Sequence, residues 1–312
     1  MRRAFAVVVV LCIAGAGAAT AATPIKLLYT AGDSFTESYV AKDQRFFSKH
    51  GLDVTLQAAQ NGSVISAALT ADSAQIGAPT PTVLLQGDEQ GLDLVIVASA
   101  NRNPIQPPIS ETGIAARTGS GIKTAADLVG KKVAVPGLGG TIDVLMKKWI
   151  EVHGADYHQV HWVEFMLPRM PDSLTAGLAD VVATVNPFLS RIVKSNAGYI
   201  VGDFGDIEPP GAMVVVYAAT RRWAQAHAAA VAGFRAALEE SKTYIESTAN
   251  EASVRASIAK YTNLPPEVAK FIEIPTNLDP EPRPLGLAFW IGTCREQGLI
   301  KGNPDPVTLI AP

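Results

Sequence analysis

Short apolar runs alternate with amphipathic helical stretches along most of this chain, and that alternation restricts the fold more than any other feature. Residues 25–29 form a first apolar run, followed by the turn Ala31-Gly32-Asp33-Ser34. Helical spacing then covers residues 36–50, with Tyr39, Val40, Phe46 and Phe47 on one face and Gly51 placed to end the helix. Residues 53–58 alternate as a strand, and Asn61-Gly62-Ser63 opens a helix with Ser63 as its N-cap. Further strands are expected at 74–78 and 92–100. A second block starts near Gly113, with strands at 114–116, 133–135, 161–165 and 181–185 and helical stretches at 125–128 and 174–179. Its clearest helix begins at Thr141 and carries Ile142, Leu145, Met146 and Trp149 on one stripe. A strand at 213–218 and a helix at 223–245 follow, then helical segments at 251–260, 266–271 and 284–297. Strands alternating with helices predict an α/β protein with a largely parallel sheet.

The two blocks rhyme. Leu69-Thr70-Ala71-Asp72 precedes a small apolar strand and Pro79; Leu174-Thr175-Ala176-Gly177 precedes Asp180, an apolar strand and Pro187. Two lobes of similar topology would leave this trace.

The N-terminus reads as a removable leader. Met1-Arg2-Arg3 is basic, residues 4–19 are almost wholly apolar, and Ala19-Thr20-Ala21 supplies small residues for cleavage. The apolar run is shorter than the ~20 residues a membrane-spanning helix needs. Residues 1–21 are therefore expected to be a signal peptide, and the remainder is expected beyond the inner membrane. Leu11 before Cys12 does not suit lipid attachment, and loss of the leader leaves Cys294 as the sole cysteine. An exported chain with one cysteine has no internal disulfide. It must be held by its core, and roughly 290 residues is near the limit for one core, so two lobes are expected. The whole chain has a formal net charge of −3, and removing the two leader arginines makes it more negative. No basic field calls for nucleic acid.

Chemistry-bearing motifs are sparse. Gly137-Leu138-Gly139-Gly140-Thr141 lies between a strand and a helix, a context for holding a polar ligand on backbone N–H groups at a helix start. Ile142 stands where a dinucleotide fingerprint needs its third glycine, and no lysine precedes Thr141 as a P-loop requires. Asn61-Gly62-Ser63 is the matching device in the first block, and the two helix starts could face each other across a cleft. His153, His158 and His161 lack zinc-ligand spacing, and no nucleophile elbow occurs, so neither a metal, a cofactor nor catalysis is expected. Phe35, Phe165 and Asn186 follow strands, where ligands of α/β folds collect. Arg102 follows another strand and could meet a ligand carboxylate or sulfonate, or be a solvated surface arginine.

Several stretches, taken in order, resemble a known family. Tyr39-Val40-Ala41 with Phe46-Phe47-Ser48-Lys49-His50-Gly51-Leu52-Asp53-Val54 is similar to the opening of solute-binding proteins for nitrate, taurine, alkanesulfonates and thiamine pyrimidine precursors, the NMT1/THI5-like group. The stretch from Asp127 to Val135, Ala179-Asp180 leading to Asn186-Pro187-Phe188, and Gly298-Leu299-Ile300 with Pro304-Asp305-Pro306 agree with it. Asn186 departs from the acidic residue common before Pro-Phe, and the cysteine-rich motif of the pyrimidine-synthesising relatives is absent.

The resemblance implies a type II periplasmic binding protein fold, two α/β lobes with a ligand cleft between them. Lobe 1 would begin with residues 22–110, lobe 2 would span 111–211, and residues 212–312 would return to lobe 1. The crossovers would fall near 109–116 and 212–218. It further implies a monomeric, non-enzymatic periplasmic protein that hands a small molecule to an inner-membrane ABC permease and its ATPase. An enzyme on the same fold and a ligand-sensing module for a membrane receptor are the rival readings. The expected ligand-binding residues are Asp33, Phe35, Ser63, Thr80, Arg102, Gly140, Thr141, Phe165 and Asn186. Phe35 and Phe165 would be apolar walls, and Ser63, Thr80, Gly140, Thr141 and Asn186 hydrogen-bonding groups. Asp33 would favour an amine or ring N–H, and Arg102 an anion, which leaves the ligand's charge open.

Overall fold

The computed structural model describes residues 22–102, 112–205, 207–265, 269–270 and 272–312. The leader, the first part of the proposed 109–116 crossover and most of the 266–271 helical segment lie outside these residues.

The chain builds β1 (Thr23–Thr30), α1 (Thr36–Asp43), α2 (Phe46–Lys49), β2 (Leu52–Ala59), α3 (Gly62–Thr70), β3 (Ile76–Gly77), α4 (Pro81–Glu89) and β4 (Leu94–Arg102). The second block follows with β5 (Thr112–Arg117), β6 (Lys132–Val135), α5 (Thr141–Val152), β7 (His161–Glu164), α6 (Met170–Thr175), β8 (Val181–Val185), α7 (Phe188–Lys194) and β9 (Gly198–Asp203). Then come β10 (Met213–Thr220), α8 (Arg221–Ala226), α9 (Ala228–Ile245), α10 (Glu251–Tyr261) and α11 (Ala288–Glu296). The strands form two five-stranded sheets, in the orders β2-β1-β3-β10-β4 and β7-β6-β8-β5-β9. The α/β, two-lobe expectation is met.

The two orders are the same pattern. Exchanging β1, β2, β3 and β4 for β6, β7, β8 and β9 turns one sheet into the other, with β10 and β5 in equivalent places. In each sheet that fourth strand runs antiparallel to both neighbours, while the first three are parallel. The sheets are therefore mixed rather than largely parallel. The sequence rhyme falls on equivalent connections, α3 to β3 and α6 to β8. β8, apolar but for Thr184, is buried throughout, as a strand covered on both faces requires.

Packing overrides helical spacing in three places. The expected helix over 36–50 breaks at Arg45, which takes a left-handed conformation with φ 62°. Asp43 is held there by Ser257, Lys260 and Tyr261 of α10, while Phe47 stacks on Phe234 of α9 with ring centroids 5.4 Å apart. Satisfying both contacts turns the chain between them. The expected helix over 223–245 starts two residues earlier and breaks at His227, whose ring stacks on Trp223 and sits 3.0 Å from the Trp223 carbonyl. The expected helix at 174–179 instead ends at Thr175, because it starts earlier with Pro171 in its first turn and Gly177 takes φ 67°. Sequence spacing missed α4, α7 and β9. Ser241 of α9 donates to the Glu37 carbonyl of α1 at 2.7 Å, and Trp290 of α11 donates to the Met213 carbonyl at 2.7 Å, so the C-terminal helices pack on the first sheet's lobe. Among the described residues no helix is long and apolar enough to cross a membrane.

Candidate functional site

The carboxyl ends of β1, β2 and β3 in one sheet face those of β6, β7 and β8 in the other, and a cavity of about 80 Å³ lies between them. The first lobe contributes Thr30, Gly32, Ser34 and Phe35 after β1, Asn61 to Ser63 after β2, and Thr80 and Val83 after β3. The second contributes Pro136 to Leu138 and Gly140 to Ile142 after β6, with Leu145, Leu167 and Val185. Thr112 of β5 and Val214 and Val215 of β10 complete the lining, so the antiparallel strands also reach it. The volume holds several water-sized groups, since one water needs ~10–15 Å³ on this measure.

Three helices begin at the cavity, each with first-turn N–H groups that have no partner within the helix. At α3 the cap is Asn61, whose Oδ1 accepts from Val64 N at 3.0 Å. This corrects the assignment of the cap to Ser63, which lies inside the helix, exposed and on the cavity lining. The asparagine is the cap because it holds the extended backbone that position needs, φ −157° and ψ 176°, with its side-chain oxygen on the third N–H, whereas Ser63 is already the second residue of the helix. At α4 the Thr80 hydroxyl accepts from Val83 N at 3.4 Å. At α5 Gly140 has no side chain to cap with, and Thr141 N donates across the cleft to Thr80 Oγ1 at 3.3 Å. One hydroxyl of the first lobe thus serves helix starts in both. Thr141 itself is different: the residue is 3% exposed and lines the cavity, and its buried hydroxyl finds no hydrogen-bond partner among the described residues.

The glycine loop before α5 is pinned by carboxylates. Leu138 N donates to Glu164 Oε1 at 2.6 Å and Gly139 N to Asp143 Oδ2 at 2.8 Å. Asp143 is fully buried; that burial raises its carboxyl above the usual range although Lys147 Nζ lies 2.7 Å away. Glycine is needed where the lobes meet, for a Cβ on Gly137 would lie 3.0 Å from the Asn61 Cβ.

Of the nine residues expected at the ligand, Phe35, Ser63, Thr80, Gly140 and Thr141 surround this one cavity. Asp33 is buried beside it, between lining residues Gly32 and Ser34, but does not line it; its N–H donates to the Asn186 carbonyl at 3.4 Å. Asn186 is also buried outside the lining. Its Oδ1 accepts from Ser190 N and Oγ, and its Nδ2 donates to Glu273 at 3.4 Å, so the side chain secures the first turn of α7. Phe165 is half-buried against an apolar cluster that includes Leu167 and Met170 and is not itself among the lining residues. The Arg102 side chain lies outside what is described. Asn61 and Gly137 also line the cavity, within the two helix-start motifs read from the sequence although neither was singled out as a contact, and Ser34 was not expected there. None of the described lining residues is Asp, Glu, Lys, Arg or His, so the positive field comes from helix starts and the walls are largely apolar.

The comparisons agree with this architecture. Residues 33–252 match the family described as NMT1/THI5 like. The nitrate/nitrite binding protein NrtA of Synechococcus elongatus is 25% identical over 239 residues, 68% of this chain and 52% of that protein. The nitrate import ATP-binding protein NrtC of Synechocystis is 28% identical over 184 residues, 54% of this chain and 27% of that protein. The chain thus spans about half, or less, of these relatives' lengths. Among solved structures, the alkanesulfonate-binding protein SsuA from Xanthomonas axonopodis pv. citri, bound to MOPS, superposes with a TM-score of 0.76 at 18% identity, covering 92% of this chain and 98% of that one. The periplasmic nitrate-binding protein NrtA from Synechocystis gives 0.77 at 15% identity, covering 91% and 84%. These structures share the fold, two α/β lobes of the periplasmic binding proteins. The extent of the family match settles membership: the chain belongs to the NMT1/THI5-like family.

Proposed function

We propose that this protein is the substrate-binding component of an ABC importer, exported by cleavage of residues 1–21 and working in the periplasm as a monomer. It captures a small organic ligand between its lobes, does not alter it, and delivers it to an inner-membrane permease driven by its ATPase. The observation that carries the reading is the interlobe cavity with the partnerless Thr141 hydroxyl at a helix start. A ligand oxygen or ring nitrogen accepting from that hydroxyl satisfies a group that is otherwise buried without a partner. Phe35, Leu145, Val185 and Val215 offer apolar walls to the rest of the ligand, which favours a sulfonate, carboxylate or heterocycle with an apolar body over a bare inorganic ion. The family match and the binding proteins among the relatives support the importer role.

The mechanism is population shift. A ligand that touches both lobes favours the shut form by its differential contacts. A thermal-shift screen across alkanesulfonates, carboxylates, heterocycles and nitrate tests the reading. Saturation at a thousandfold over Kd adds roughly 4 kcal/mol, so a true ligand stands out. Thr141→Trp fills the second lobe's helix start and is expected to abolish that shift while the variant stays folded. Unchanged affinity of Thr141→Trp by calorimetry, or no shift from any of the four classes, refutes the proposal.

A further inference from the structure

Gln86 reaches from one lobe to the other without touching the cavity. It lies half-buried in the middle of α4 and is absent from the lining. Its Nε2 donates twice, to the Thr82 carbonyl of its own helix at 3.0 Å and to the Gly139 carbonyl of the second lobe at 2.8 Å. The receiving carbonyl is held in place by the second lobe alone. Gly139 takes φ 74°, its N–H is bound by Asp143, and the preceding N–H is bound by Glu164. A Cβ on Gly139 would lie 2.9 Å from Gln86 Oε1 and 3.1 Å from its Nε2, so a side chain there would displace the Gln86 amide.

Other bonds also cross near the cavity: Asp33 N to the Asn186 carbonyl is long at 3.4 Å, and Thr141 N to Thr80 Oγ1 belongs to two residues that line the cavity, so a ligand competes with it. Gln86 escapes that competition. Farther along, Lys148 pairs with Glu296 at 2.9 Å and Gln297 Nε2 donates to the Val144 carbonyl at 2.9 Å, tying α5 to α11. The Lys148–Glu296 pair is solvent-exposed and contributes little.

We infer that Gln86 is a closure residue: by donating to the Gly139 carbonyl it holds the lobes shut over the cavity without contacting the cavity's occupant. It is a positioning residue, and it acts on how long the lobes stay shut. The bond demands a donor. Both partners of Nε2 are carbonyl oxygens, so an acceptor-only side chain of the same size sets like charge against like.

The inference rests on the clam-shell reading above, yet its test contains no ligand, so a failed ligand screen leaves the result readable. Spin labels go on Gln60→Cys and Arg169→Cys, exposed positions at the cleft ends of the two lobes, in the full chain with Cys12→Ser to remove the leader thiol. Cys294 stays unlabelled because it is buried, and burial pushes its thiol up to about 12. Double electron–electron resonance then reads shut and open populations. Gln86→Ala is expected to lower the shut-to-open ratio roughly two- to tenfold, the worth of one net hydrogen bond. Gln86→Glu keeps the packing and removes the donor, and is expected to lower it at least as far at neutral pH. Gly139→Ala should open the lobes from the opposite side. A Gln86→Glu distribution matching the native one, or a native protein with no shut population, overturns the assignment.

Discussion

Replacing Thr141 by valine separates what the residue does for the fold from what it does for a ligand. The side chains have nearly the same shape, and their helix propensities are close. Thr141 sits at the first position of α5, 3% exposed, with a hydroxyl that meets no acceptor or donor among the described residues. Leaving such a group buried costs about 1–3 kcal/mol, and a methyl in its place removes that cost. The backbone N–H still reaches Thr80 Oγ1, so the crossing bond survives. Thr141→Val is therefore expected to gain about 1 kcal/mol in the ligand-free protein, which at this chain length raises Tm by about 1.5–2 °C. The same variant should bind any ligand found in the screen roughly tenfold more weakly, having lost one donated hydrogen bond. Scanning calorimetry of the ligand-free protein gives the first sign and titration calorimetry the second. A ligand-free Tm that falls or stays put would mean the hydroxyl is already satisfied, and the argument from its vacancy fails.

Asp43 accepts from Ser257, Lys260 and Tyr261. Burial pushes its carboxyl up, but these bonds outweigh that and hold it below the usual range. Asp43→Asn should cost about 1–3 kcal/mol at neutral pH. The deficit should shrink as pH falls through the lowered native value, because the wild-type contribution exists only above the unfolded carboxyl's pKa; denaturant melts at several pH values check it. Asp143 has the opposite sign. Its raised carboxyl gives a contribution that is full below the unfolded pKa of ~3.9 and lost as pH rises through the raised native value, so Asp143→Asn should flatten that part of the stability profile. Gly77→Ala drives a Cβ into the Ile65 and Leu69 side chains behind β3 and should cost about 1–3 kcal/mol by thermal melt, with no cavity residue touched.

Most strands were legible because buried strands such as β8 and β6 are short runs dominated by Val and Ala and bounded by turn residues. Helix ends were less so. The break at Arg45 answers contacts with α10 and α9 that lie far along the chain, and local periodicity carries no record of them; the break at His227 goes with a stacking contact on Trp223 that helical spacing alone does not reveal. For the candidate site, residues placed by strand-end logic and helix starts gathered at the cavity, whereas Phe165 and Asn186, chosen for type and proximity to a strand end, turned their side chains into local packing. Gln86 was invisible because its partner carbonyl lies 53 positions away and belongs to a backbone group with no side chain to read.

The placement of β10 bears on the order in which the molecule can assemble. β5 to β9 are contiguous in the chain, so the second sheet has all its members once residue 203 has emerged. The first sheet has a gap between β3 and β4 until β10 arrives at residue 213, so β4, which ends at residue 102, waits through about a third of the chain's length for the neighbour that joins it to the sheet. A polypeptide threaded through a membrane amino end first would thus finish its later half before its earlier one. Its exposed β4 edge in that interval is where helper proteins would be most useful.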